Sequence, residues 1–251
     1  MKNLLVFAIL LFYNSSLLLA QTEMTERRTP VFSFNGNFQV GVPLAAFRDN
    51  LNQTGFGGSA LFLANIAQSP ISAGLEASIL GFERETVNYD VNVGGFNKDY
   101  ELTTSSNIFL GHAIVRIQAP GRRLINPYLD GTVGFKNLFT STSLTDEDLG
   151  ESVDSDTDES DWAFSYGAAA GVQINVSRTD FISIDLRCAY LPGSSATYLV
   201  RRSDANTNSG DPIEAFERKS SPTTLLLPQI GITFKFWDRN GGQELPSDID
   251  N

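Results

Sequence analysis

The sequence predicts an all-β chain, an eight-stranded antiparallel up-and-down transmembrane β-barrel. Three observations predict it. Apolar and polar residues alternate with period two along eight segments, which is the pattern of a strand with two unlike faces. Short and long polar connections alternate between those segments, as an up-and-down order requires. The polar faces are rich in Gly, Ser, Asn and Gln, small groups that suit a narrow, crowded lumen. The apolar faces then point outward to lipid and the polar faces fill the centre.

The elements follow in order. "VFSFNGNFQVGV" (31–42) places Phe32, Phe34, Phe38, Val40 and Val42 on one face and Ser33, Asn35, Asn37 and Gln39 on the other. The second strand, about 56–67, has a less clear period. The third starts at Ile71, with Leu75, Ala77 and Ile79 opposed by Gly74, Glu76 and Ser78. A polar loop is expected at 89–101. The fourth strand, about 102–118, sets Phe109, Ala113, Val115 and Ile117 against Leu110, His112, Ile114 and Arg116. The fifth, 127–141, sets Leu129, Val133 and Phe135 against Asp130, Thr132 and Lys136. After an acidic loop the sixth runs 162–176, with Trp162, Phe164 and Val172 opposing Ser165, Gly171 and Gln173. The seventh begins at Phe181, with Ile184, Leu186 and Cys188 opposing Ser183, Asp185 and Arg187. A loop at 203–220 leads to the eighth, which ends in "QIGITFKFW" (229–237).

The start of the chain and the composition narrow the function classes. "MKNLLVFAILLFYNSSLLLAQ" has a positive residue, Lys2, an apolar run broken at Asn14, and Ala20 before a cleavage point. It reads as a secretory signal peptide, 1–20. Residues 21–30 are then a polar N-terminal segment, 31–237 the barrel and 238–251 a hydrophilic tail. The formal charge of −11 grows by one negative unit when Lys2 leaves, which speaks against a nucleic-acid partner. With one Cys and one His, an internal disulfide and a structural zinc centre are excluded. After residue 20 no apolar run reaches the length of a membrane helix, so any spanning falls to strands.

On these residues the chain resembles a known family. Gln229, Gly231, Phe234 and Phe236 match the terminal-strand signal of bacterial outer-membrane barrels: polar, any, Gly, any, any, aromatic, any, aromatic. "INPYLDGTVGF" (125–135) and "FSYGAAAGVQINVS" (164–177) are similar to strands of small eight-stranded members. The class is the outer membrane protein A/X-like superfamily, in the style of its Bacteroidetes members. The resemblance covers about 31–237. It implies an outer-membrane location, both termini in the periplasm, and barrel-assembly machinery as a partner that reads the last strand. The family signal usually closes the chain, whereas here the tail 238–251 follows.

Seven charges fall on the polar faces: Glu76, Asp130 and Asp185 against Arg116, Lys136, Arg187 and Lys235. Eight strands leave an interior just wide enough for side chains, and an unpaired charge there is costly. Each is therefore expected to pair with an opposite charge and plug the barrel. His112, the only imidazole, has Leu110 and Ile114 as same-face neighbours on its strand. No nucleophile and orienting group can be assembled around it from the sequence. "TDEDLGESVDSDTDESDW" holds nine acids and no base. Asp154, Asp156 and Asp158 copy the first ligand positions of a calcium loop, but Glu159 stands where Gly is required and Ser165 where the bidentate Glu belongs. A solvated acidic loop is the expectation, and weak calcium binding is the sharper alternative. The whole reads as a non-enzymatic barrel with a structural or interaction role in the envelope and no cofactor. A porin-like or small-ligand channel is the alternative, and a lipid-modifying enzyme the third reading. A soluble lipocalin-like barrel is the architectural rival.

Overall fold

The computed structural model describes residues 30–66, 69–93, 96–118, 123–146, 151–176, 181–201 and 216–237. In chain order the strands are β1 (Phe32–Pro43), β2 (Gly55–Asn65), β3 (Ile71–Val93), β4 (Phe96–Gln118), β5 (Ile125–Asp146), β6 (Glu151–Asn175), β7 (Ile182–Leu191), β8 (Ser195–Arg201), β9 (Phe216–Pro222) and β10 (Leu225–Phe236). All but β8 and β9 close an antiparallel barrel of eight strands. Barrel strands pair in sequence order, β7 passes directly to β10, and β10 closes on β1 from Phe32↔Phe236 to Pro43↔Leu225. One interruption marks this closing seam. Val40 and Gly41 have no ladder partners on β10, opposite Leu227 and Pro228, because a proline has no N–H to give.

The exterior is apolar and the interior polar. Ile230, Leu75, Ile117, Leu129 and Phe164 are exposed on the outside. Gln39, Arg116, Asp130, Lys136, Ser165 and Asp185 are buried within. Aromatic rings gather near both ends. Phe32 stacks on Phe236 at 4.6 Å, with Phe181 edge-on at 5.5 Å. At the other end Phe135 lies 5.0 Å from Trp162 and 6.1 Å from Phe109. A polar centre, an apolar outer band and two aromatic girdles are the distribution of a lipid-spanning barrel. Strand lengths agree. β1, β2, β7 and β10 have 10 to 12 residues, close to the roughly 9–11 that cross a bilayer when tilted.

The structure corrects the expected loops. β3 continues to Val93 and β4 starts at Phe96, so most of the expected loop at 89–101 is strand. β6 starts at Glu151, so Asp154, Asp156 and Asp158 stand on a strand and not in a calcium-type loop. Their side chains lie outside the described residues, as do the signal segment and the tail. β5 supplies the reason: its Ser141 to Asp146 pair with Thr157 to Glu151 through two bulges, so ladder hydrogen bonds override the poor strand propensity of Asp and Glu. β3 to β6 thus run 22 to 25 residues, about twice the crossing length, and extend past the barrel as a four-stranded blade.

The last long connection also contains two strands. β8 and β9 form a separate hairpin, and β9 occupies part of the loop expected at 203–220. The β1–β2 connection carries a short helix, α1 (Ala46–Asn50). Phe47 of α1 and Tyr198 of β8 meet edge to face at 5.2 Å. Both belong to one apolar cluster with Leu80, Ile108, Leu138, Leu191, Leu225 and Leu227 on the inner wall. Hairpin and helix therefore pack inside the mouth at the long-connection end.

Candidate functional site: the barrel lumen

Below that apolar plug the lumen holds a chain of alternating charges. The Arg116 guanidinium grips Asp130 with two bonds, Nε to Oδ1 at 2.8 Å and Nη2 to Oδ2 at 3.0 Å. The cross-strand register Arg116↔Asp130 puts the fork directly opposite the carboxylate, the geometry in which Arg binds best. Arg187 lies on the far side of Asp130, with Nε 2.9 Å from Oδ2. That contact is an ion pair by distance without hydrogen-bond alignment. Arg187 Nη1 also donates to Glu76 Oε1 at 2.6 Å and to Gln229 Oε1 at 2.9 Å. The order is therefore Glu76, Arg187, Asp130, Arg116, with Asp185 3.9 Å beyond Arg116.

Asp185 is held mainly by neutral donors. Tyr128 donates its hydroxyl to Oδ1 at 2.5 Å. Asn35, Gln173 and Thr233 donate to Oδ2 at 3.1, 3.1 and 3.2 Å. Arg116 also lies flat over the Tyr128 ring, 3.5 Å from its centroid, a cation–π contact that water cannot weaken here. Sequence reasoning misses Tyr128, Asn35 and Thr233 as members of this network. Asn35 and Thr233 share the parity of the lumen-facing residues on their strands, and Tyr128 shares that of Asp130, but parity assigns a face and not a partner.

Lys136 differs from the expectation. Lys136 is fully buried, yet no carboxylate pairs with it among the described residues. Its ammonium donates to the backbone carbonyl of Leu191 at 2.8 Å and to that of Thr223. Two oriented carbonyls replace the counter-ion because Lys136 sits at the foot of the plug, above the carboxylates. Lys235 donates to Asn175 Oδ1 at 3.0 Å near the opposite end.

His112 is buried and meets a hydroxyl that its own strand does not supply. Its Nε2 lies 2.9 Å from Ser165 Oγ. The two strands that carry them are not neighbours. β5 lies between, and there the residue opposite both is Gly134. With no side chain at Gly134 the imidazole crosses β5 to reach β6. Sequence spacing cannot show a contact made across a third strand.

The four residues of the expected assembly signal take both faces of β10. Gln229 joins the lumen, its amide donating to Gln39 Oε1 at 2.9 Å. Phe234 and Phe236 stand in the aromatic girdle beside Phe181. Gly231 lies where a side chain would strike Asn37.

No protein-family model matches the chain, and no curated protein matches it. Among the solved structures similar to it are the following three. Neisserial surface protein A is 11% identical with a TM-score of 0.41, covering 82% of this chain and 97% of its own. Ail, the attachment invasion locus protein of Yersinia pestis, is 10% identical with a TM-score of 0.33, covering 82% and 96%. A major outer membrane protein from Thermus thermophilus is 13% identical with a TM-score of 0.37, covering 82% and 99%. At such identities and scores the likeness adds nothing on residues or task. The closed strand order and the inverted polarity of the chain itself decide the fold.

Proposed function

We propose that this chain is an outer-membrane barrel with a structural or interaction role, not a diffusion pore. One observation carries the reading: the axis is filled at two levels. The charge chain from Glu76 to Asp185 crosses the lower lumen, and hairpin β8–β9 with α1 fills the mouth. A porin needs a wet path, and the burial of the side chains at both levels speaks against one. Contact with partners then falls to the blade of β3 to β6, which extends past the membrane band. Strand pairing and the acidic stretch of β6 suit an envelope protein as partner. The barrel begins and ends at the short-connection end, which this reading places in the periplasm, where the assembly machinery meets Phe234 and Phe236. The His112–Ser165 pair does not favour enzymatic lipid modification, because both groups are buried in the lumen, away from the bilayer that holds such a substrate.

Planar-bilayer recording of the refolded protein tests the reading. No steady conductance is expected. Reproducible open-channel steps at ordinary voltages would transfer the assignment to the porin-like alternative. Crosslinking in intact envelopes from cysteines placed on the blade then identifies the partner, and absence of any crosslinked species would remove the interaction role.

A further inference from the structure

Hairpin β8–β9 is an insertion between two barrel strands. It leaves the barrel after Leu191 and returns before Leu225. Its two strands pair with each other and not with the barrel ladder. One face, Ala196, Tyr198 and Val200, is buried in the mouth, while Arg218 is exposed and bonds Glu159 of the blade. Its two roots are close together. Thr223 donates its hydroxyl to Ser194 O at 3.1 Å and its N–H to the same oxygen at 3.2 Å. Beneath them lies the Lys136 ammonium, bonded to Leu191 O on one root and Thr223 O on the other. Gly193 completes the joint, since a Cβ there would collide with Thr223 and come within 3.0 Å of Lys136 Nζ.

We propose that β8–β9 is a displaceable plug, locked in the barrel mouth by Lys136, whose single ammonium ties both of its roots to β5. Three facts separate this from ordinary core packing. The two hairpin strands pair only with each other, and ladder-type bonds to the barrel stop at the root, where Pro192 and Ser194 bond Tyr166 and Phe164 of β6. The clasp comes from a third element and bonds backbone, so it holds position whatever side chains the roots carry. And Lys136 has no carboxylate, among the described residues, that would give it another structural task. Charge-assisted bonds to two carbonyls in a dry site are strong, whereas the hairpin's other ties are its small apolar face, the Thr197 N–H on Asp161, the Asn50 amide on Tyr198, the Ser106 hydroxyl on Leu199 O and the exposed Arg218–Glu159 pair. Loss of the clasp shifts a local opening equilibrium and leaves global folding in place. Once out, the hairpin exposes Ala196, Tyr198 and Val200 and uncovers the apolar mouth around Phe47.

Cysteine accessibility reads the plug directly. The background is full-length protein with Cys188→Ser, folded in detergent or liposomes. One reporter is Ala196→Cys in the plug, and a second is Ser183→Cys in the lower lumen. Both positions are buried, so both should react slowly with a water-soluble maleimide. Adding Lys136→Met should speed labelling at 196 by about 10- to 100-fold, the range expected when bonds to a charged group are lost, and leave 183 unchanged. Gly193→Ala should act in the same direction with Lys136 still present, and it decides the matter if Lys136→Met does not fold. Equal rates at 196 with and without these changes overturn the proposal. So does parallel acceleration at 183, which would mean that Lys136 supports the barrel wall and not the plug.

Discussion

The Tyr128 hydroxyl reaches Asp185 across strand β6, at 2.5 Å, by passing over Gly171. Tyr128 and Asp185 belong to strands that are not neighbours, and Gly171 is the residue between them that leaves room. A Cβ at 171 would run into the tyrosine ring and lie 2.8 Å from Leu186 O. Gly171→Ala should therefore destabilise the barrel by about 1–3 kcal/mol through overpacking. Guanidinium unfolding followed by fluorescence checks it. An unchanged midpoint would show that the ring has another place to go.

Asp130 is shared by two guanidiniums, so its removal takes a carboxylate from both Arg116 and Arg187. Asp130→Ala should cost about 3–5 kcal/mol. The double change Arg116→Met with Asp130→Leu should recover most of that, since a dry apolar pair of similar volume needs no solvation. The double-mutant cycle, read from unfolding midpoints, gives the coupling. If the single and double variants are equally unstable, the carboxylate acts through packing and not through charge.

The two faces of the wall make opposite predictions for the same substitution. Ile230 is 54% exposed on the outside and its neighbour Gln229 is 7% exposed within. Arginine at Ile230, Ile184 or Val172 should cost roughly 2–4 kcal/mol, the range for the bilayer midplane. A lipid-phase photoprobe should label these three and spare Gln173, Asp185 and Gln229. Labelling of the second group would invert the barrel.

Phe236 stacks on Phe32 across the closing seam. Phe236→Asp should impair membrane assembly, seen as loss of the heat-modifiable folded band, because it removes both the seam contact and the terminal aromatic. Deleting residues 238–251 should leave that band intact. A normal folded fraction from Phe236→Asp would end the assembly-signal reading.

The strands of the barrel and the direction of their faces are legible in the amino-acid order alone. Period two is a local property, and a row such as Ile230, Ile232, Phe234 and Phe236 states its own burial pattern whatever the strand pairs with. The same parity sends Glu76, Arg116, Asp130, Asp185 and Arg187 into one narrow interior. It does not say who touches whom. Tyr128 with Asp185, and His112 with Ser165, are contacts across a third strand that depend on a glycine in the middle. Such contacts exist only once eight registers are fixed together. Lys136 shows the same limit from the other side: charge alone points to a carboxylate partner, and the fold provides two backbone carbonyls instead. The acidic run at 146–161 reads as a loop because its composition disfavours a strand, while the pairing that makes its residues 151–161 a strand lies in β5. The plug is hidden for a related reason. Ala196, Tyr198 and Val200 alternate like any strand, and only the closed barrel shows that the face they bury against is the inside of its own mouth.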